Sequence, residues 1–72
     1  MENKIYIDGM EYEYVNNIIY KGKNYVAYMD KDTIYISEYK MVDGEVVFYD
    51  ITDELFDEVK GVMVLWHIII FI

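Results

Sequence analysis

The side chains able to do nucleophilic or metal chemistry are few in this sequence. It has one serine, Ser37, one histidine, His67, and no cysteine. A Ser–His–acid relay has only this pair to use, but Ser37 lies in a run of strand-forming residues rather than in the strained turn that exposes a nucleophile. His67 has no second histidine or cysteine with which to share a metal ion. These residues favour neither nucleophilic catalysis nor a transition-metal site.

Carboxylates are the abundant reactive groups, and paired carboxylates can act as acid and base or bind a hard cation. Glu11 and Glu13 share one strand face, and residues 53–58 carry two i,i+4 carboxylate pairs. Such pairs typically form a solvated helix surface, and a chain this small leaves little room for the cleft of a two-carboxylate glycosidase. We therefore expect a protein without enzymatic activity, cofactor or metal ion.

Length and composition predict one small globular domain. The chain has 72 residues, of which 56% are hydrophobic and 28% charged, a balance that excludes generic disorder. Surface scaling for a chain of this size allows about 60% of the unfolded surface to be buried, enough for a single core. Residues 1–72 are therefore expected to form one domain.

The charge balance indicates which partners to expect. Acidic residues number 14 and cations 6, all of them lysine, for a net charge of −8. Arginine, which reads phosphate and guanine by paired hydrogen bonds, is absent from the sequence. Because so negative a field repels nucleic acid, we expect no direct nucleic-acid binding, and a protein partner with a basic surface instead. The opening residues lack the apolar segment of a signal peptide, which favours a cytoplasmic location.

Most of residues 3–51 alternate between apolar or aromatic and polar side chains, as strands with one buried face do. The predicted strands span about 3–8, 10–20, 24–29, 33–41 and 45–51. The second strand is interrupted by Asn16-Asn17, where we expect a bulge or bend. Asp8-Gly9 and Asp43-Gly44 predict two-residue type I′ hairpin turns, with a slightly longer turn over 21–24 and a polar turn over 30–32.

After Ile51 the apolar spacing changes to that of an α-helix. Thr52 is a suitable N-cap, and carboxylates follow in the first turns, where the helix dipole favours them. We expect the helix to span 52–66 and to bury one stripe of side chains against the sheet: Leu55, Phe56, Val59, Val62, Met63 and Trp66. The apolar tail 67–72 fits either a continued helix or a sixth strand. The predicted fold is α+β, a small antiparallel β-meander of about five strands with one C-terminal helix packed on one face.

The order of these features resembles a known family. Asp8-Gly9 is followed by IIYKGKNYVA at 18–27, by YISEY at 35–39, by DGE at 43–45 and by ITD at 51–53. In these stretches the chain is similar to the YrzB-like family of small acidic proteins of Gram-positive bacteria. The resemblance implies a small antiparallel sheet with a C-terminal helix, and it implies no known activity and no catalytic residues.

Tyrosine is the most unusual component, with nine residues in the chain. In a small sheet tyrosine commonly supplies core volume. Several of these tyrosines are nevertheless expected on the sheet face away from the helix, where tyrosine suits a protein interface. The expected partner-binding surface is acidic and tyrosine-rich, and consists of Glu11, Tyr12, Glu13, Tyr14, Tyr35, Glu38, Tyr39 and Asp50.

Two further functions fit the same sequence. One is a phage- or bacterium-encoded inhibitor that imitates the charge of nucleic acid and occupies the nucleic-acid groove of a host protein. The other is a self-associating structural protein, most simply a homodimer, because residues 61–72 carry no charge. The residues expected at that contact are Leu65, Trp66, Ile69, Ile70, Phe71 and Ile72. As a helix, 61–72 would extend about 18 Å, too short to cross a bilayer, so membrane attachment is not expected.

Overall fold

Five strands and one helix follow one another along the chain. The computed structural model describes residues 3–71, and the side chains of residues 3–63. The elements are β1 (Lys4–Ile7), β2 (Met10–Tyr20), β3 (Lys23–Asp30), β4 (Thr33–Val42), β5 (Glu45–Tyr49) and α1 (Asp53–Phe71). The strands form one antiparallel sheet whose spatial order is the chain order, because two-residue connections leave no length for a crossover. The predicted α+β meander with a C-terminal helix is confirmed.

Both turns predicted from Asp-Gly pairs have the expected backbone. Asp8 and Gly9 have φ angles of 51° and 79°, and Asp43 and Gly44 have 52° and 83°. Positive φ at both central positions defines the type I′ turn, whose twist matches that of the flanking strands. Glycine meets this requirement without the steric penalty that a Cβ would bring.

Of the other two connections, the polar turn predicted over 30–32 is confirmed and the turn predicted over 21–24 is not. Lys21 and Gly22 have φ angles of 51° and 79° and β3 begins directly at Lys23, so the longer turn expected over 21–24 is wrong. The connection from β3 to β4 places Lys31 at a φ of 57°. Lysine adopts this left-handed conformation at an energetic cost that glycine or asparagine largely avoids.

A bulge in β2 changes which side chains face the helix. The pairing of β2 with β3 shifts register between Tyr14 and Asn16, close to the bend predicted at 16–17. Without an extra residue, positions 12, 14, 18 and 20 would all point to one face. Because the bulge inserts Val15, Tyr14 lies on the face away from α1 while Ile18 packs with the core on the helix side. The large even-numbered side chains of β2 therefore lie on the side away from α1 before the bulge and on the helix side after it.

The core lies between the sheet and α1. Its buried members are Tyr25, Ala27, Ile36, Val59 and Met63, with Ile18, Tyr20, Ile51, Leu55 and Phe56 packed against them. The predicted helix stripe is thus found at the sheet, fully buried at Val59, buried at Met63 and half-buried at Leu55, Phe56 and Val62. The expected burial of Trp66 falls outside the described side chains.

α1 begins where the sequence predicts and ends later. The Leu55 amide donates a hydrogen bond to Thr52 Oγ1 at 3.1 Å, which is the expected N-cap contact. The helix continues to Phe71, so the end predicted at 66 is wrong. Of the two alternatives left open for the tail, the continued helix is confirmed through Phe71 and the sixth strand is wrong. β5 ends at Tyr49, two residues before its predicted end at 51. Within residues 3–71, α1 does not have the length and apolar character that crossing a membrane requires.

Candidate interaction surface

The sheet face opposite α1, here called the open face, carries all four tyrosines of the predicted binding surface. Strand alternation and the pairing registers place Tyr12, Tyr14, Tyr35 and Tyr39 on it, together with Tyr28. The lysines of the described strands lie on the helix side: Lys4, Lys23 and Lys40. The open face therefore combines aromatic rings with a lack of positive charge along its strands.

Three tyrosines on the open face form one aromatic cluster. The ring centroid of Tyr12 lies 4.9 Å from that of Tyr28 and 5.9 Å from that of Tyr35, both edge to face, and Tyr28 and Tyr35 stack at 5.6 Å. Such geometries follow the ring quadrupoles and stabilise a pair beyond its buried area. Tyr28 is buried and Tyr35 is 40% exposed, so the cluster extends from the buried centre of the sheet to the solvent-exposed surface.

The Tyr28 hydroxyl is held by a neighbouring strand. It hydrogen-bonds the buried Ser37 hydroxyl, with 2.7 Å between the two oxygens. Burial raises the pKa of Tyr28, and the nearby Tyr12, Asp50 and Tyr35 raise it further against the opposing effect of the Ser37 hydrogen bond. Tyr28 therefore remains a neutral, well-fixed ring at physiological pH.

Beside the tyrosine cluster the open face has a shallow apolar groove of ≈ 230 Å³, here called the apolar groove. Its lining residues come from all five strands and are Ile5, Tyr14, Asn17, Val26, Tyr39, Val46 and Phe48. Because β1 and β5 both contribute although they sit at opposite ends of the strand order, the sheet must curl around this face. Large apolar side chains on the same face are left in water, Ile19 at 76% and Met41 at 65% exposed.

A second cavity, the edge pocket, opens where β5 ends and β4 continues without a partner on that side. It has a volume of ≈ 370 Å³ and is lined by Tyr28, Tyr35, Ile36, Ser37, Asp50, Ile51, Asp53 and Phe56. It thus adjoins the tyrosine cluster and mixes aromatic, hydroxyl and carboxylate groups.

The eight residues expected to form one binding surface are divided between the two faces. Tyr12, Tyr14, Tyr35 and Tyr39 lie on the open face, and Asp50 borders it at the edge pocket. Glu11, Glu13 and Glu38 lie on the helix side, because they occupy the alternate strand positions.

Two of the three helix-side glutamates, Glu11 and Glu38, contact neighbouring polar groups. Glu11 lies 2.9 Å from Lys4 Nζ and accepts a hydrogen bond from the Tyr6 hydroxyl at 2.9 Å. These contacts hold the pKa of the Glu11 carboxyl below its usual value. Glu38 lies 3.6 Å from Lys40 Nζ, and its side chain is only 13% exposed.

Sequence reasoning missed three contributors to this surface, Tyr28, Ser37 and Phe48. Tyr28 belongs to the run Tyr25–Tyr28, which is buried without alternation because the sheet centre is covered on both faces. Phe48 alternates with Val47 and Tyr49, so the sequence could have placed Phe48 on the opposite face if both faces of the sheet had been considered as binding surfaces. His67 and the residues expected to self-associate lie outside the described side chains.

Among the described residues, histidine, cysteine and carboxylate side chains do not gather in any group of three that could hold a metal ion. The arrangement offers aromatic and apolar contact area, bordered by carboxylates, for binding. Comparison of this chain with protein-family models, with curated proteins and with solved structures finds no match.

Proposed function

We propose that the protein is a non-enzymatic interaction module that docks on a basic surface of another protein through its open face. The observation that carries this proposal is the aromatic and apolar area that α1 leaves uncovered. Ile19, Met41 and Val46 are 76%, 65% and 49% exposed there. Met41 and Val46 are direct neighbours across β4 and β5, and exposed apolar area on one face commonly marks an interaction site.

The composition of the open face suits a protein partner. Tyrosine provides large rigid contact area with a polar tip, and it is enriched where interfaces bind most strongly. Tyr35 and the groove residue Tyr39 offer such area, with the buried Tyr28 behind Tyr35 fixing its ring. A preorganised ring loses little conformational freedom on binding, which favours affinity.

Charge supports a basic partner. The chain carries a net charge of −8, and the lysines of its described strands lie on the other face. The field of such a molecule steers a basic protein toward it and makes association faster at low ionic strength.

The proposed compartment is the cytoplasm, and fractionation of cells that express the tagged chain tests it.

The experiment is a comparison of three baits in host lysate: the full chain, Met41→Lys and Val42→Lys. Met41 lies on the open face and Val42, the next residue, on the helix side, and both are exposed. The two variants therefore add the same charge at neighbouring positions on opposite faces. We expect basic proteins that bind the full chain and Val42→Lys, that are lost with Met41→Lys, and that are released by high salt.

Equal recovery of those proteins by both variants would show that the open face is not the docking surface. Recovery unchanged between low and high salt would show that charge does not drive the binding. If the recovered partner is a nucleic-acid-binding protein, competition by its own nucleic acid decides whether the module acts as an inhibitor that imitates nucleic acid.

A further inference from the structure

We propose that the edge pocket receives an arginine side chain of the partner, with Asp50 and Asp53 as its counter-charges and Tyr35 and Phe56 as the aromatic surface that it contacts. The inference rests on the proposed function, since it specifies what a basic partner inserts. The pocket has a volume of ≈ 370 Å³. That volume corresponds to about ten water molecules, room enough for one side chain.

The chemistry of the pocket walls fits a guanidinium group. A planar cation stacks on aromatic rings and donates paired hydrogen bonds to carboxylates, which arginine does better than lysine. Tyr35 is 40% exposed and stacked on Tyr28, and Phe56 lines the same pocket. Asp50 lines the same pocket as Tyr28 and Tyr35, and its charge contributes to the raised pKa of Tyr28.

No described lysine forms an ion pair with the two carboxylates of the pocket, and the described cation nearest to its Phe56 wall is Lys60, whose Nζ lies 5.9 Å from the ring centroid. Described lysines pair instead with three glutamates, Glu11, Glu58 and Glu38. The N-terminus of α1 adds about half a positive charge at Asp53, which two carboxylates outweigh. The sequence has no arginine of its own, so a guanidinium in this pocket must come from another molecule.

The test is a titration of the full chain, labelled with ¹⁵N, with N-acetyl-arginine methylamide, followed by amide chemical shifts. We expect saturable shifts at Asp50, Ile51 and Asp53, and none from the citrulline analogue, which has the same shape without the charge. Asp50→Asn should weaken binding about fivefold, the effect of one partly exposed charge pair. Glu45→Gln removes the same charge from the exposed first residue of β5 and should bind as the unchanged chain does.

Shifts of equal size with citrulline, or an affinity for the arginine probe that Asp50→Asn leaves unchanged, would overturn the arginine site. An equal response to N-acetyl-lysine methylamide would overturn the choice of arginine. The outcome is separate from that of the bait comparison. If the arginine probe causes no shifts at the edge pocket but Met41→Lys loses the partners, only this inference is rejected. If the probe causes shifts but Met41→Lys still recovers the partners, the proposed function is rejected.

Discussion

The hydroxyl groups of Tyr28 and Ser37 hydrogen-bond at 2.7 Å across β3 and β4, in the buried centre of the sheet. Ser37 is paired in register with Val26, so the bond runs diagonally to the residue two positions along β3. It fixes the ring against which Tyr12 and Tyr35 pack. The open face is therefore organised around a polar contact inside an aromatic cluster.

The first prediction concerns the energy of that contact. Ser37→Ala leaves the buried Tyr28 hydroxyl without its partner and should lower the free energy of unfolding by about 1–3 kcal/mol. Tyr28→Phe should cost about 1 kcal/mol, and the double variant less than the sum, with a coupling of about 1 kcal/mol. Urea unfolding of the four proteins measures this cycle. Additive effects would show that the hydrogen bond contributes no coupling.

The second prediction concerns alkaline pH. The pKa of Tyr28 is raised in the folded state, chiefly by burial, above the ordinary tyrosine value of about 10. Below that ordinary value the phenol is neutral in both states, and its contribution to stability is fully present. As the pH rises past about 10, the unfolded chain loses the proton first, so this contribution falls until the folded-state pKa is passed.

Tyr28→Phe should therefore show a smaller loss of unfolding free energy than the unchanged chain between about pH 9 and about pH 11. Urea unfolding across that range measures the slope. Identical slopes for Tyr28→Phe and the unchanged chain would contradict the assignment.

The third prediction concerns the core beneath α1. Val59 is 0% exposed. Its replacement by alanine removes two methyl groups and leaves a cavity, which should lower the free energy of unfolding by about 2 kcal/mol. Val46→Ala, at a position 49% exposed on the open face, should cost less than half as much. Thermal unfolding by circular dichroism compares the two variants, and equal losses would mean that the sheet does not bury Val59.

The fourth prediction concerns the turn between β3 and β4. Lys31 has a φ of 57°, a conformation that asparagine tolerates better than lysine does. Lys31→Asn should therefore raise the free energy of unfolding by about 0.5–1 kcal/mol. Lys23→Asn makes the same change at the first residue of β3 and should not stabilise the protein. A loss of stability in Lys31→Asn would contradict the turn geometry.

The fifth prediction concerns self-association. Residues 61–72 carry no charge, and the helix backbone continues without a break to Phe71. A helix that is apolar on all sides requires more cover than one small sheet provides, and a twofold dimer supplies it with a single contact. Sedimentation at micromolar concentration should show a dimer, and the Ile70→Lys, Ile72→Lys double variant should be a folded monomer. A monomer of the unchanged chain at all concentrations would exclude the dimer.

The strands, most of their turns and the start of the helix were predictable because they depend on local chemistry. Asp8-Gly9 tolerates the positive φ angles of a hairpin wherever it occurs, and short connections force neighbouring strands to be antiparallel. Thr52 caps α1 through its own hydroxyl group. Strand alternation also separates Glu11 from Tyr12, although the expected acidic, tyrosine-rich surface had combined them.

The composition of the two faces was decided by tertiary structure. The bulge at Val15 sends Tyr14 and Ile18 to opposite faces, and its position depends on how β2 pairs with β3. The apolar groove exists because the sheet curls until Ile5 of β1 and Phe48 of β5 line one cavity. The edge pocket needs β4, the end of β5 and the start of α1 together. Residues far apart in the chain come into contact only through the twist, curl and packing of whole elements. Their separation along the sequence does not determine how close they lie in the folded protein.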